Sequence, residues 1–148
     1  MEDFFKKGND FHCQERHVEA IECFDRAINL TSDDAVIWNN KATSLDYLQR
    51  FDEAIVCYNE SIRLNPKDSE TWHNKALTFS GQQEYEEALM CLDEAIRLND
   101  QDSHIWFNKA LILEQIDRFD HARLCYEKSS RCDDKSRMCF LLPKFVNE

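Results

Sequence analysis

Residues 35–68 and 69–102 share 14 of 34 residues without a gap, and the period continues on both sides. Trp38, Asn40, Lys41 and Ala42 return as Trp72, Asn74, Lys75 and Ala76, and again as Trp106, Asn108, Lys109 and Ala110. Residues 1–34 hold a weaker copy, with Phe4 in the place of the tryptophan and Gly8 in that of the alanine. Self-similarity at a short fixed period argues against a closed globule around one irregular core. It calls for a stack of like supersecondary units, each burying its apolar face on the next.

Each unit reads as two helices. Trp38, Ala42 and Leu45 fall at i, i+4 and i+7, on one helical face, and Phe51, Ala54, Ile55, Tyr58 and Ile62 form a second. The intervening Leu48-Gln49-Arg50 is short enough only for an antiparallel helix hairpin. Asp33 or Asp34 can cap the first helix. Asn65-Pro66 ends the second, because proline disfavours helix at the residue before it. Asn99-Asp100 takes that place one unit on, and Gly81 is expected to ease the turn within its hairpin. Only 2 Gly and 2 Pro occur among 148 residues, too little turn material for an all-β chain. Small residues let the paired helices approach closely, so Ala42 should meet Ala54 and Ala76 should meet Ala88. The aromatic at the place of Tyr58 should fill the space between one hairpin and the next.

Composition narrows the function. The net charge of −11 disfavours nucleic acid, whose binding needs surplus Lys and Arg, and disfavours an anionic membrane surface. The acidity is uneven: net −5, −1, −6 and zero in the four successive units. That pattern suits a solvated face and, more pointedly, partner segments that are basic. The longest apolar run, residues 138–142, is far short of the ~20 residues that span a bilayer. The opening MEDFFKKGND lacks the basic-then-apolar order of a secretion signal, so a cytoplasmic location is expected. Of seven cysteines, Cys23, Cys57, Cys91 and Cys125 recur 34 apart. Stacked units lie ~10 Å apart, beyond the ~7 Å between Cα atoms that a disulfide tolerates. These four are expected to be reduced, small hydrophobes. No C-x-x-C, G-x-S-x-G, P-loop or H-E-x-x-H occurs, so neither an enzyme nor a cofactor or metal site is expected.

The recurring places carry a resemblance. The units have tryptophan at the fourth place (Phe4 in the first), Ala or Gly at the eighth and a bulky residue at the eleventh. An aromatic follows at the seventeenth, Ala at the twentieth, an aromatic or Leu at the twenty-fourth, Ala or Ser at the twenty-seventh and Pro at the thirty-second. Together these resemble the tetratricopeptide repeat. Departures are His17 for an aromatic, Asp100 and Asp134 for proline, and Cys132 for leucine. The wording W-x-N-K-A followed by L-N-P is similar to repeats common in archaeal and bacterial proteins. The resemblance implies an all-α fold: a right-handed α-solenoid of four helix-turn-helix repeats, 1–34, 35–68, 69–102 and 103–136. Residues 137–148 are too few for a fifth copy. A short helix from Arg137 to Leu142, ended by Pro143, is expected to cap the stack, with Met138, Phe140, Leu141 and Phe145 covering Tyr126. The alternative is that this tail is the stump of a longer protein.

In that family the first helix of each hairpin lines a concave groove that binds proteins. The resemblance places Asn9, Asn40, Asn74 and Asn108 there, with Phe5, Thr43, Tyr47, His73 and Phe107 beside them. An Asn amide both donates and accepts, so a ladder of Asn40, Asn74 and Asn108 can hold the backbone of an extended peptide whatever its side chains. At ~3.3 Å per residue, one rung per unit would meet about every third residue of the peptide. The family's carboxylate clamp is matched only at Asn9 and Asn40. Its basic places fall on Phe5, Glu70 and Asn74, so a C-terminal carboxylate is not the expected ligand. The expected function is non-catalytic protein–protein interaction, with an extended peptide in the groove. Two alternatives are a self-associating homo-oligomeric scaffold and a thiol- or metal-dependent activity through the cysteines.

Overall fold

The structure, a computed structural model, describes the backbone of residues 3–145 and the side chains of residues 3–133. It is all-α, with no strand among the described residues. Eight helices alternate as four hairpins: α1 Phe4–Cys13 with α2 His17–Leu30, α3 Ala35–Tyr47 with α4 Phe51–Leu64, α5 Ser69–Gly81 with α6 Tyr85–Leu98, and α7 Ser103–Gln115 with α8 Phe119–Phe145. Each hairpin packs on the next, and α1 also touches α3 as α3 touches α5. The first helices therefore form one layer of an α-solenoid and the second helices the other.

The period fixes the ends of every helix. Asp3, Asp34, Asp68 and Asp102 stand at the starts of α1, α3, α5 and α7, and each carboxylate accepts a backbone N–H of the first turn. Of the two aspartates the sequence offered before α3, the structure uses Asp34, at 2.9 Å from the Val36 nitrogen. At the other end, Glu15, Gln49, Gln83 and Asp117 adopt left-handed backbone, with φ of 60°, 57°, 63° and 59°. In each case the next residue's N–H reaches back five residues: Arg16 to Phe11, Arg50 to Leu45, Glu84 to Phe79 and Arg118 to Leu113, all within 3.0 Å. This arrangement satisfies the carbonyls a helix end leaves open and reverses the chain in three residues. Gly81 plays no part in the reversal, contrary to the sequence expectation. It is the last helical residue of α5, and Gln83 takes the positive φ.

Small residues sit where helices of a hairpin cross. Ala42 and Ala54 are fully buried in one apolar cluster, and Ala76, Ala88, Ala110 and Ala122 are buried in another. At Gly8 the approach is closer still: a β-carbon there would lie 2.5 Å from the Phe24 ring. Phe24, Tyr58 and Leu92 occupy the twenty-fourth places and are fully buried. The tryptophans act as ties as well as filling. Each indole N–H donates to a carbonyl six residues before it, Trp38 to Ser32 at 2.9 Å, Trp72 to Pro66 at 3.3 Å and Trp106 to Asp100 at 2.8 Å. That bond pins the connection between hairpins onto the hairpin that follows.

Beyond the fourth repeat the expected break does not occur. Instead of a separate short helix, α8 runs on as one helix through Pro143. Residues 133–142 contain no Gly or Pro to stop it, and a proline in the last turn removes only one intrahelical bond. The side chains of Met138, Phe140, Leu141 and Phe145, expected to cover Tyr126, lie outside the described residues.

Candidate functional site: the trough of the first helices

Three hollows run together along the layer of first helices. One, of about 340 Å³, is lined by Asn9, His12, Asn40, Thr43, Glu70 and Asn74 among others. A second, of about 560 Å³, shares His12 and Cys13 with it and adds Glu15, His17 and Tyr47. A third, of about 360 Å³, shares Thr43 and Asn74 with the first and adds Asp46, Tyr58, Leu77 and Thr78. The three make one trough across repeats one to three. It brings together Asn9, Asn40, Thr43, Tyr47 and Asn74. Phe5, His73, Phe107 and Asn108 do not line these hollows.

The asparagines are already engaged. Asn40 donates to Asn9 Oδ1 at 2.9 Å, and Asn74 donates to Asn39 Oδ1 at 3.5 Å. Asn108 Nδ2 lies 2.7 Å from His73 Nε2. Each rung thus binds the previous repeat, linking first helix to first helix. One N–H of each amide is spent; the carbonyl oxygen and the second N–H take no side-chain partner among the described residues, so each rung keeps a donor and an acceptor. Burial lowers the affinity of His73 for a proton, outweighing the pull of Asp102. The neutral imidazole then accepts the Asn108 amide through Nε2 and carries its proton on Nδ1.

The aromatic side chains divide. Phe5 packs on the Phe24 ring at 6.3 Å between centroids and belongs to the first core cluster. Phe107 is 46% exposed and meets the Tyr126 ring edge-on at 5.5 Å. Tyr47 is 66% exposed, stacked flat on His17 at 4.6 Å with His12 edge-on at 5.5 Å. His12 Nδ1 lies 2.8 Å from Ser44 Oγ, and burial with the neighbouring His17 holds it below the ordinary histidine pKa. His17 Nδ1 is buried without a partner.

Asp46 was not singled out in the sequence, yet it is the most unusual group in the trough. Its Oδ2 accepts from Tyr58 at 2.9 Å and from Thr78 at 2.6 Å, while Oδ1 is buried with no partner. Burial raises its carboxyl above the usual aspartate range, and the two hydroxyls only partly offset this. A signal was available: an acid at the twelfth place facing tyrosine at the twenty-fourth recurs as Glu114 and Tyr126, 3.0 Å apart.

The charge of the trough is one-sided. Glu15, Asp46 and Glu70 line the three hollows, and no lysine or arginine does. The opposite face differs. A hollow of about 490 Å³ there is lined by Met90, Trp106 and Leu124, with Lys109 and Arg118 among its charged residues. Those cations are already paired, Lys109 with Asp93 and Arg118 with Glu86. Val56, Met90 and Leu124, 34 apart, are more than half exposed.

Three of the four recurring cysteines face the core, and Cys23 is half-buried. Cys57, Cys91 and Cys125 are buried, and burial pushes the Cys57 thiol up to about 11 and the other two upward. Thiolates, the reactive form, are disfavoured there. All six cysteines among the described residues are free, and no group of three or more potential ligands forms a metal site among those residues. No helix of the described residues is long and apolar enough to cross a membrane.

Comparison with known proteins agrees with this geometry. The family described as Tetratricopeptide repeat matches residues 35–68, 57–90 and 103–133, together more than half of the chain. The match over 57–90 begins inside α4 and ends inside α6, as a continuous stack allows when hairpins are counted from the second helix. No curated protein matches the chain in sequence. Among solved structures, MamA superposes with a TM-score of 0.87 at 16% identity, covering 91% of this chain and 79% of that one. MamA from Desulfovibrio magneticus RS-1 gives 0.83 at 14%, over 89% and 75%. The first tetratricopeptide domain of Spaghetti (RPAP3), bound to the HSP90 peptide SRMEEVD, gives 0.74 at 20%, over 76% and 90%. At such identities the likeness speaks for the fold alone. Repeat period, hairpin geometry and sequence match agree, and the chain belongs to the tetratricopeptide repeat family.

Proposed function

We propose that this chain is a non-catalytic interaction module that holds an extended, basic segment of a partner protein along the trough of its first helices. The observation that supports this most is the trough's composition: amides with spare donors and acceptors, the exposed Tyr47, and three carboxylates with no cation among the lining residues. A net charge of −11 steers basic segments toward the chain. The RPAP3 domain shows that a related stack can hold a peptide, SRMEEVD, which is rich in acids. The trough described here would repel such a sequence, since Glu70 stands where a cation would be needed. Six free cysteines among the described residues, four of them buried, fit a reducing compartment such as the cytoplasm.

Selection of random octapeptides displayed against the immobilised protein tests the proposal. Enriched peptides should carry net positive charge, and acidic peptides such as SRMEEVD should not compete. Replacing Asn40 and Asn74 together by Ala should weaken the enriched peptides at least tenfold, with helicity unchanged by circular dichroism. Enrichment of acidic peptides, or binding indifferent to the double replacement, would overturn the trough reading. Self-association through the exposed Val56, Met90 and Leu124 is a competing reading. Light scattering that shows a monomer at every concentration would remove it.

A further inference from the structure

The hollow between α3, α4 and α5 holds a carboxylate, that of Asp46, with one oxygen left unmet. It is about 360 Å³ in volume, within the range of pockets that take small ligands. Tyr47, Phe51 and Leu77 supply apolar wall, and Thr43, Asn74, Tyr58 and Thr78 supply polar atoms around Asp46. Asp46 is the penultimate residue of α3, so its charge sits at the negative end of that helix. Oδ1 is shielded from water with no hydrogen-bond partner, and no cation pairs with the carboxylate among the described residues. Three effects thus disfavour the charge: lost hydration, an unmet oxygen and the helix end. An asparagine could accept the same two hydroxyl bonds without the charge.

We infer that this hollow is a recognition pocket for a single lysine or arginine side chain of the bound segment, with Asp46 as its counter-charge. The apolar walls suit the methylene stem, and the carboxylate meets the cationic tip. Asn74, on the pocket's edge, keeps a donor and an acceptor for the backbone of the same peptide residue. Burial raises the Asp46 carboxyl, in keeping with a charge that lacks its partner. The other twelfth places hold His12, Ser80 and Glu114. Glu114 accepts from Tyr126 alone among the described residues; what singles out Asp46 is the second hydroxyl, from Thr78 of the next repeat. A carboxylate with one shielded, unmet oxygen at a single place in the stack sets a register: the peptide must place its cation at the boundary of repeats two and three.

The inference rests on the trough reading, and the same octapeptide selection separates the two. Peptides retained by the wild-type chain should share Lys or Arg at one fixed position. With Asp46→Asn that preference should vanish while other positions stay enriched. For one retained peptide, replacing the fixed lysine by norleucine should weaken binding at least tenfold to the wild-type chain and little to Asp46→Asn. Thermal unfolding confirms that the variant folds, and its melting temperature should equal or exceed that of the parent. Peptides that bind through the trough without a fixed cation, or norleucine and Asp46→Asn losses that simply multiply, would overturn the pocket and leave the trough. No retained peptide at all would overturn both.

Discussion

Replacing Gly8 by alanine sets two effects of known size against each other. In a helix interior the exchange gains about 1 kcal/mol from backbone propensity. Against this, the new β-carbon would lie 2.5 and 2.7 Å from two ring carbons of Phe24, which is fully buried with Phe5 packed behind it. Relief requires the ring or α1 to move by most of an ångström, and overpacking of a filled core costs about 1–3 kcal/mol. The clash wins, for a net loss of about 1 kcal/mol. At Gly81 the same exchange meets the Phe51 ring at 3.3 Å, a contact that a few tenths of an ångström relieve. Phe51 is only half-buried at the pocket rim, so there the propensity gain wins by about 0.5 kcal/mol. The two variants should move urea midpoints in opposite directions. For a chain of this size 1 kcal/mol is worth about 2–4 °C in Tm. Phe24→Leu, the residue that Leu92 supplies opposite Ala76, should recover most of the loss in the Gly8→Ala background. Gly8→Ala that stabilises as much as Gly81→Ala would refute the packing at α1 and α2.

Smaller predictions follow from single groups. Asp34→Ala and Asp68→Ala each remove a first-turn cap and should cost about 1 kcal/mol in urea unfolding; two caps a repeat apart should add. His12 and His73 bind protons less readily folded than unfolded, so stability should be flat above pH 6.5 and fall as pH drops through and below it. His73→Gln should flatten part of that slope, and an unchanged slope would remove His73 as a contributor. In thiol titration of the native protein at pH 8, exposed Cys13 should react at once, whereas Cys57 should react only on unfolding.

The fold was legible because its signals repeat. Trp38, Trp72 and Trp106 mark the first helix, and three-residue links leave only a hairpin. The turn chemistry was read less well: Gly81 drew attention, while the strained residues are Glu15, Gln49, Gln83 and Asp117. Their strain comes from closing a helix in three residues, a geometric demand that no side-chain pattern announces. The trough was legible as a set of places but not as a set of bonds. Asn40, Asn74 and Asn108 read as a ladder facing outward, and the structure ties each to the repeat before it. Those ties depend on residues 31 to 35 positions away, which the period alone does not pair. Asp46 escaped notice because its oddity is its surroundings: one acid among 29 looks like solvated charge until Tyr58 and Thr78 close over it.

The central claim is that a partner segment lies along the first helices, and amide hydrogen exchange with a selected basic octapeptide tests it most directly. Saturating peptide should slow exchange in α3 and α5, over residues 35–47 and 69–81, and leave α4 and α6 unchanged. Protection centred on α4, α6 or α8, with α3 and α5 unaffected, would contradict it.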